Sequence, residues 1–594
     1  MCGINGFNFS DNKLILNMKK FTANRGPDAE GIYIDEYITI SHNRLSILDL
    51  SENANQPMSY KNLIISYNGE IYNFRSLREE LESFGYKFNT SSDTEVILHL
   101  FDRFNTEAFK KLSGIFSICI WDKINKKLYL VRDTLGVKPL YYYFDNKNKK
   151  FFFSSSIRSI LISLNNKEIN FKALKYYKNF GRNDLSETIF KNIYKVMPGE
   201  LITLSNNEMF KKKILNFDLK KKYISDDEIK SLVENTIEKQ LVSDVPLSLS
   251  LSGGVDSNVV YSVMRKKLEK KFNVYSFQFK DYEKFNQDFT VAKRNCNFYG
   301  DKFIPVDIGF EEFLNNCEKV TEILEEPSAN QCSILNFCMS KTISEKILMT
   351  GDGGDESFSG YDRYRSIHII NFLQNINFLK KTNFKSKYKN INRLFIDNPK
   401  DMFLSFSEQN IYKNLNKYYL DFEKIDMKQL GLNHTANEDL VNNLNSVSLL
   451  DLDTIVPNEY LLRNDKIFMD SGIEVRVPLL DLDIINNVLN VSPFRKFGYR
   501  FKSKNMLKKI FKDDIHSLVK TKWGLQSPLA KWMKGPLQPF LYEILSKEYY
   551  DNSKNYFNFE NIQNLIKLHK EKYFNPELLW SLVMLQIFLK RFNL

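Results

Sequence analysis

Leu247 to Ser257 reads LSLSLSGGVDS. Leu247, Leu249 and Leu251 alternate with serines small enough to bury, the two-residue period of a strand. Val259, Val260, Val263 and Met264 then continue as an apolar helical face, so the stretch predicts strand, turn, helix. Gly253 and Gly254 let the backbone of that turn approach an anion closely, and the free N–H groups of the first helical turn point at it. Phosphate is the natural ligand. The loop has neither the lysine nor the longer glycine spacing of a Walker loop, so it serves a different phosphate chemistry. The three letters SGG alone also fit an ordinary strand-to-helix turn.

Around this stretch helix and strand signals alternate. Helices are predicted near Asp226–Leu241, Asp288–Tyr299 and from Phe310 towards Leu324, and strands at Val274–Phe279, Lys302–Asp307 and Ile347–Thr350. The alternation predicts a mostly parallel sheet covered on both faces, with ligands at the carboxyl ends of its strands. Gly351–Glu356, GDGGDE, follows one such end. Hard cations beside phosphates want carboxylate oxygens, which makes Asp256 and Asp355 the candidate ligands of a magnesium ion that accompanies the phosphate. A solvated turn is the other reading of a glycine-rich acidic loop. The remaining third reads as helical and rich in aromatic core residues.

The N-terminus carries a second chemistry. The chain opens Met1, Cys2, Gly3, Ile4, and removal of a methionine before a small residue leaves Cys2 with a free α-amino group. An α-amine titrates at about 7.7 to 8.0 and a thiol near about 8.5, so the amine takes the thiol proton as the sulfur attacks. Asn24–Asp28 makes a turn, Ser41–Leu50 reads as a strand carrying Arg44 into a loop, and the Leu63–Tyr67 strand delivers Asn68, Gly69 and Glu70. An amide side chain beside a glycine N–H forms an oxyanion hole when both donors converge on one developing charge. Asn73 is expected to cap a helix ended by Gly85, and Ser92 with Glu95 reads as a capping box opening a helix at Asp93. Strands near Phe116–Asp122, Lys127–Arg132, Leu140–Phe144 and Phe151–Ser154 predict two packed sheets.

A chain of 594 residues exceeds one hydrophobic core, which predicts two large domains. Pro198 and Gly199 lie near the end of the first, the lysine-rich 211–222 stretch reads as a linker, and the boundary is placed near 210, giving domains 1–210 and 211–594. Composition is 43% apolar and 26% charged, without an apolar run long enough for a bilayer or a charged-then-apolar leader, so a soluble, cytoplasmic protein without a membrane partner is expected. Cys119, Cys296, Cys317, Cys332 and Cys338 lack both zinc spacing and disulfide density and read as reduced packing residues. The net charge is +12, but the lysines are spread among asparagines rather than gathered in a stripe, so no nucleic-acid partner is expected.

MCGI, RGPD (25–28), RLSIL (44–48), YNGEIYN (67–73) and SSDTEVI (91–97) occur in the order and spacing of a class II amidotransferase. SGGVDS resembles the pyrophosphate loop of the N-type ATP pyrophosphatases. The whole chain thus resembles the glutamine-hydrolysing asparagine synthetase family. The resemblance implies an N-terminal-nucleophile hydrolase-type layered β-sheet domain, then a parallel-sheet ATP pyrophosphatase domain with a helical C-terminal part. It implies Cys2 as nucleophile, Arg44 on the α-carboxylate of glutamine, Asp93 on its α-amino group, and Asn68 and Gly69 on the oxyanion, with Leu45, Ser46, Ile47, Leu48 and Glu70 in the same site. For ATP it implies Ser252, Gly253, Gly254, Asp256 and Ser257 in the phosphate loop, Leu251, Phe279, Thr350 and Gly351 around the nucleotide, and Asp256 and Asp355 on Mg2+. Asp352 stands where some relatives carry a glutamate base. KSKNMLKK (502–509) supplies Lys504 for the α-phosphate or the acyl-adenylate carbonyl, and LLRNDKIFMDSGIEVRVPLLD (461–481) resembles the segment beside the acceptor. Asn24 replaces the family's histidine, which bears on positioning in the pocket. A homodimer is left open.

Aspartate is the implied acceptor, giving asparagine, AMP, diphosphate and glutamate. EEPSANQCS (325–333) departs from the expected pattern, with Gln331 where some relatives have arginine. A changed side chain there switches specificity while every catalytic motif remains, so a sugar uronate or another carboxylate stays open as acceptor. An inactive-scaffold regulatory or nucleic-acid-binding protein is the remote alternative. Binding aspartate needs buried partners of both charges: Glu326 is the candidate for its ammonium, and Arg463, Arg476 or a backbone nest for its α-carboxylate.

Overall fold

A computed structural model describes residues 2–164, 166–219, 223–374, 415–420, 443–519, 527–572 and 575–594. The N-terminal part stacks two six-stranded antiparallel sheets. The first runs, across the sheet, Ile193–Lys195, Tyr141–Asp145, Lys150–Ser154, Gly3–Phe7, Thr39–Arg44, Ala29–Ile34; the second runs Glu208–Lys213, Glu200–Ser205, Lys127–Arg132, Gly114–Asp122, Leu63–Ile71, Met58–Tyr60. Alternation along the strands sorts the side chains into layers. Ile64, Cys119, Trp121, Leu128 and Leu130 meet Ile4, Ile40, Phe151 and Phe153 between the sheets. Their neighbours Leu63, Ile65, Ile118, Ile120, Tyr129 and Val131 turn outward under the helices Phe74–Ser83 and Asp93–Phe104. Phe7 packs with Ile15 and Met18 of the Asn12–Lys20 helix on the other outer face.

Two local expectations are corrected here. Asn73 occupies the N-cap position without capping: its Oδ1 accepts from the Ser113 N–H at 2.9 Å and its Nδ2 donates to the Lys111 carbonyl, which ties the helix start to the next strand instead. Ser92 does accept from the Glu95 N–H, but Glu95 turns to the N–H groups of Asn89 and Thr90, so the box is half formed. The Glu208–Lys213 strand pairs with Glu200–Ser205 across position 210, so antiparallel structure continues into the expected linker; residues 220–222 of that linker lie outside the described residues.

The second part is built on a five-stranded parallel sheet in the order Lys302–Ile308, Asn273–Phe279, Leu247–Ser250, Ile347–Met349, Glu474–Arg476. Chain order reverses between Leu247–Ser250 and Ile347–Met349, and a crevice opens beyond the carboxyl ends at such a reversal. Both glycine-rich loops leave from these two strands. The helix expected from Phe310 to Leu324 is two helices, Phe310–Asn315 and Cys317–Leu324. At the break Asn316 Nδ2 donates to the Glu312 carbonyl at 2.6 Å, a side chain competing for a backbone acceptor.

Candidate active site

Cys2 is buried at the start of the Gly3–Phe7 strand, and its nitrogen donates to Asn68 Oδ1 at 2.9 Å. The other end of that amide, Asn68 Nδ2, is buried and has no hydrogen-bond partner among the described residues. An orphaned buried donor is costly unless something accepts from it during function. Cys2, Arg44, Leu45, Ile47, Leu48, Gly69, Glu70 and Asp93 line one small cavity. Ser46 does not join them; its N–H is held at 2.7 Å by Asp28. Arg44 donates to the Ser51 carbonyl and to Asn55 Oδ1, both at 2.8 Å, and to the carbonyls of Leu48 and Asp49, so the loop that closes the cavity is organised around its guanidinium.

The cavity floor is acidic. Asp93 accepts from Tyr67 OH at 2.8 Å and the Ile71 N–H at 3.0 Å, yet burial outweighs these bonds and raises its carboxyl to about 6. Glu70 is raised well above the usual carboxylate range, first by burial and then by Asp93, while Arg476 opposes the rise. A pocket floored by carboxylates that are costly to ionise gains from a bound ammonium.

Sequence reasoning missed His42. Its ring lies buried beside Cys2, with Nε2 bonded to the Tyr67 carbonyl at 3.0 Å. Burial raises the Cys2 thiol, but His42, then the N-terminal charge and the Leu45 N–H, more than offset this and bring it to about 7. The signal was available: His42 and Arg44 stand two apart on one strand and share a face.

The second site lies at the sheet's reversal point. The SGGVDS loop braces itself: the Ser252 N–H donates to Ser257 Oγ at 3.1 Å, the Gly254 N–H to Ser252 Oγ at 3.2 Å, and Asn258 Nδ2 to the Ser252 and Gly254 carbonyls. Asp256 falls in the first turn of the Val255–Lys267 helix. Gly351 brings the GDGGDE loop against it, since a Cβ there would lie 2.4 Å from Ser257 N. A Cβ on Gly354 would lie 2.3 Å from Asp256 Oδ1. Leu251 and Phe279 are buried at strand ends on the same edge, and the Thr350 N–H donates to the Arg476 carbonyl at 3.1 Å.

Lys504 is buried, in a left-handed conformation (φ 55°) just ahead of the Asn505–Ile510 helix, and its ammonium bridges Asp256 and Asp355, the latter at 2.7 Å. Two carboxylates from opposite loops therefore face one point. That donor set suits Mg2+, which is ordinarily held by one or two carboxylates with substrate phosphates supplying further oxygens. Asp352 stands to one side, its Oδ2 accepting from Thr350 Oγ1 at 3.1 Å and from Asn464 Nδ2 at 2.7 Å.

The two parts of the chain meet across a buried interface. Asp465 forms ion pairs with Arg25 at 2.7 Å and Lys138 at 3.2 Å, and Arg25 Nε donates to the Cys2 carbonyl at 3.0 Å. Glu325 is taken by the first domain, accepting from the Ile157 and Arg158 N–H groups as well as from Lys466. Burial raises its carboxyl, but Lys466 and Arg158 bring it down to about 2. Two expectations fall here. Glu326 is not presented to an acceptor, because its oxygens accept from Asn183 Nδ2 at 2.9 Å and the Ile189 N–H at 3.2 Å. Arg476 is fully buried and bound to Glu474 and to the Gln240 and Val242 carbonyls, which removes it as a partner for an acceptor carboxylate. Asn24 lies at the interface rather than in the Cys2 cavity, donating to Asp470 at 3.1 Å, so its departure from the family pattern does not reach that cavity directly.

Among the described residues no helix is long and apolar enough to cross a membrane. Residues 1–215 match the glutamine amidotransferase domain family and residues 228–590 the asparagine synthase family. An asparagine synthetase (glutamine-hydrolyzing) 1 of Bacillus subtilis is 28% identical over 97% of this chain and 93% of its own length. An asparagine synthetase (glutamine-hydrolyzing) 3 of the same organism is 27% identical, covering 87% of this chain and 85% of that protein. An amidase of Gibberella zeae, chry2, is 24% identical over 89% of this chain and 87% of its own length. With a glutamine amidotransferase domain in front and ATP-pyrophosphatase loops behind, the chain belongs to the asparagine synthase family of ATP-dependent, glutamine-hydrolysing ligases.

Proposed function

We propose that this protein makes asparagine, taking nitrogen from glutamine at Cys2 and energy from ATP at the second site. The observation that carries the reading is the helix Leu461–Met469, where Asp465 binds the arginine that holds the Cys2 carbonyl and Asn464 holds Asp352 between the nucleotide loops. A helix shared in this way suits a nitrogen released on one side and consumed on the other.

In this reading, removal of Met1 turns the Cys2 nitrogen into an α-amine that Asn68 Oδ1 already orients. The amine takes the thiol proton, the sulfur attacks the glutamine side-chain amide, and Asn68 Nδ2 and the Gly69 N–H donate to the developing oxyanion. Arg44 and Asp93 hold the α-carboxylate and α-ammonium. Ammonia leaves, and water releases glutamate from the thioester. In the second domain the first-turn N–H groups after SGG hold phosphate, and Mg2+ on Asp256 and Asp355 would neutralise charge on the departing diphosphate. Lys504, which pairs with both aspartates in the structure, would turn from them to serve the α-phosphate and then the acyl-adenylate carbonyl. Asp352, oriented by Asn464 and Thr350, receives the proton of the attacking ammonia through a water, being shorter than a glutamate. Such an adenylate would need an enclosed route for the ammonia that keeps water out.

The test is a product assay with glutamine, MgATP and a panel of carboxylates including aspartate and a uronate. Asparagine, AMP, diphosphate and glutamate in equal amounts are expected, and Cys2→Ala should keep synthesis from ammonium salts while losing glutamine hydrolysis. Equal loss of both activities in Cys2→Ala would overturn the division of labour.

A further inference from the structure

The polar chain that starts at the nucleotide loops continues past Asp352. Asn464 Nδ2 donates to Asp352, and Asn336 Nδ2 donates to Asn464 Oδ1 at 2.8 Å, joining the Leu461–Met469 helix to the Cys332–Ser340 helix. Arg463 precedes Asn464, and Glu459 lies one turn back, 3.8 Å from the Arg463 guanidinium. Glu459 is buried, and Ser328 Oγ stands 3.3 and 3.4 Å from its two oxygens. Arg463 Nε and Ser333 Oγ are both buried without a hydrogen-bond partner among the described residues, Ser333 being only 1% exposed. Cys332, at the start of the Cys332–Ser340 helix beside Ser333, lies within electrostatic reach of Arg463, Glu459 and Asp352.

A separation of 3.8 Å is long for a charge-assisted bond, so the two charges are enclosed without fully compensating each other. Burial holds the Glu459 carboxyl above its ordinary range, and Arg463, Arg182 and a hydrogen bond from the Asn330 side chain offset this only in part. Such a pair, with an unused N–H and an unused hydroxyl beside it, is matched by a ligand carrying both an ammonium and a carboxylate. We infer that Glu459 and Arg463 are specificity residues of the acceptor site, Glu459 taking the α-ammonium and Arg463 the α-carboxylate of an α-amino acid, whose remaining carboxylate is presented beside Asp352 for adenylation. The inference rests on the acyl-adenylate reading above and narrows its acceptor to a zwitterion. A uronate offers hydroxyls and no ammonium, and would leave Glu459 facing a neutral ring.

The experiment is steady-state kinetics of the full chain with ammonium chloride and MgATP, comparing aspartate with succinate, which lacks the α-ammonium. Wild type should favour aspartate strongly. Glu459→Gln, of the same shape, should raise KM for aspartate roughly ten- to a hundredfold, the worth of one charge-assisted hydrogen bond, and shrink the preference over succinate by a similar factor. Arg463→Gln should raise KM for aspartate and for succinate, with KM for ATP in place in both variants as the check on folding. Unchanged KM and unchanged discrimination in both variants, with wild type using aspartate normally, would overturn the recognition assignment alone. Wild type that amidates a uronate and ignores aspartate would overturn the amino-acid acceptor, and diphosphate release with no carboxylate of the panel would overturn the proposed function itself.

Discussion

Asn464 and Asp465 are consecutive residues of one helix, yet Asn464 holds Asp352 at the nucleotide loops while Asp465 binds Arg25 and Lys138 of the glutaminase domain. Burial raises the Asp465 carboxyl, but the two cations hold it below the usual carboxylate range. Replacing it by asparagine leaves two enclosed cations facing a neutral amide, and breaking a buried pair costs about 3–5 kcal/mol. Asp465→Asn should therefore lower the unfolding temperature and, by loosening the helix between the sites, raise the glutamine consumed per amide formed. Calorimetry and the glutamate-to-amide product ratio read the two effects; a variant with wild-type values of both would show that the cluster neither stabilises nor couples.

Asn68 has two jobs that one substitution separates. Asn68→Asp keeps an acceptor for the Cys2 nitrogen and removes the Nδ2 donor. Loss of one oxyanion donor costs about a hundred- to a thousandfold in kcat. Glutamine hydrolysis should fall by that factor, with ammonia-dependent synthesis retained. Glutaminase kcat within about threefold of wild type would place the oxyanion elsewhere.

The acidic floor predicts a pH dependence of glutamine binding. Asp93 titrates at about 6, with Glu70, Glu474, Arg476 and Tyr67 as its charged or titratable neighbours. Below that value Asp93 is increasingly protonated and loses its hold on the ligand's ammonium; above it the carboxylate is available. In Cys2→Ala, which binds without turning over, glutamine affinity measured by titration calorimetry should fall by up to tenfold per unit as pH drops from 6 towards 5 and level off above 7. Asp93→Asn should bind weakly with that dependence removed. A flat profile in Cys2→Ala over this window would exclude Asp93 as the ammonium partner.

Local chemistry was legible in the sequence, and long-range partnership was not. LSLSLSGGVDS announces a strand, a tight turn and a helix because its period changes from two to helical spacing at two glycines, and the Leu247–Ser250 strand and Val255–Lys267 helix follow that pattern. Asp256, Asp355 and Lys504 converge although almost 250 residues separate the first from the last, and nothing but the family resemblance put the three around one nucleotide. Glu326 reads as an acceptor-site residue because it sits in the divergent segment, whereas its partners, Asn183 and Ile189, come from the other domain, as do Ile157 and Arg158, which hold its neighbour Glu325. No periodicity in the 325–333 segment carries that information. Arg463 is a sequence candidate for the acceptor's carboxylate, but Glu459, one turn before it, looks like an ordinary i, i+4 partner on a solvated face, and only its burial distinguishes it.

Gly351 offers the sharpest test of the phosphate site, because it acts through space alone. An alanine Cβ there would lie 2.4 Å from the Ser257 nitrogen and 2.8 Å from its Cα, both backbone atoms that cannot rotate away. Gly351→Ala must therefore push the GDGGDE loop off the SGGVDS loop. Overpacking of this kind costs about 1–3 kcal/mol in stability, which a two-domain chain with extensive cores absorbs. The chemistry is less tolerant: Asp355 moves with its loop while Asp256 stays with the other helix, and a misplacement of about 1 Å costs on the order of a hundredfold in rate. Acceptor-dependent diphosphate formation should fall by about that factor, while glutamine hydrolysis at Cys2, built on a different sheet, continues. Diphosphate formation at the wild-type rate would show that the loops relax without consequence and that their close approach does not set the site's geometry.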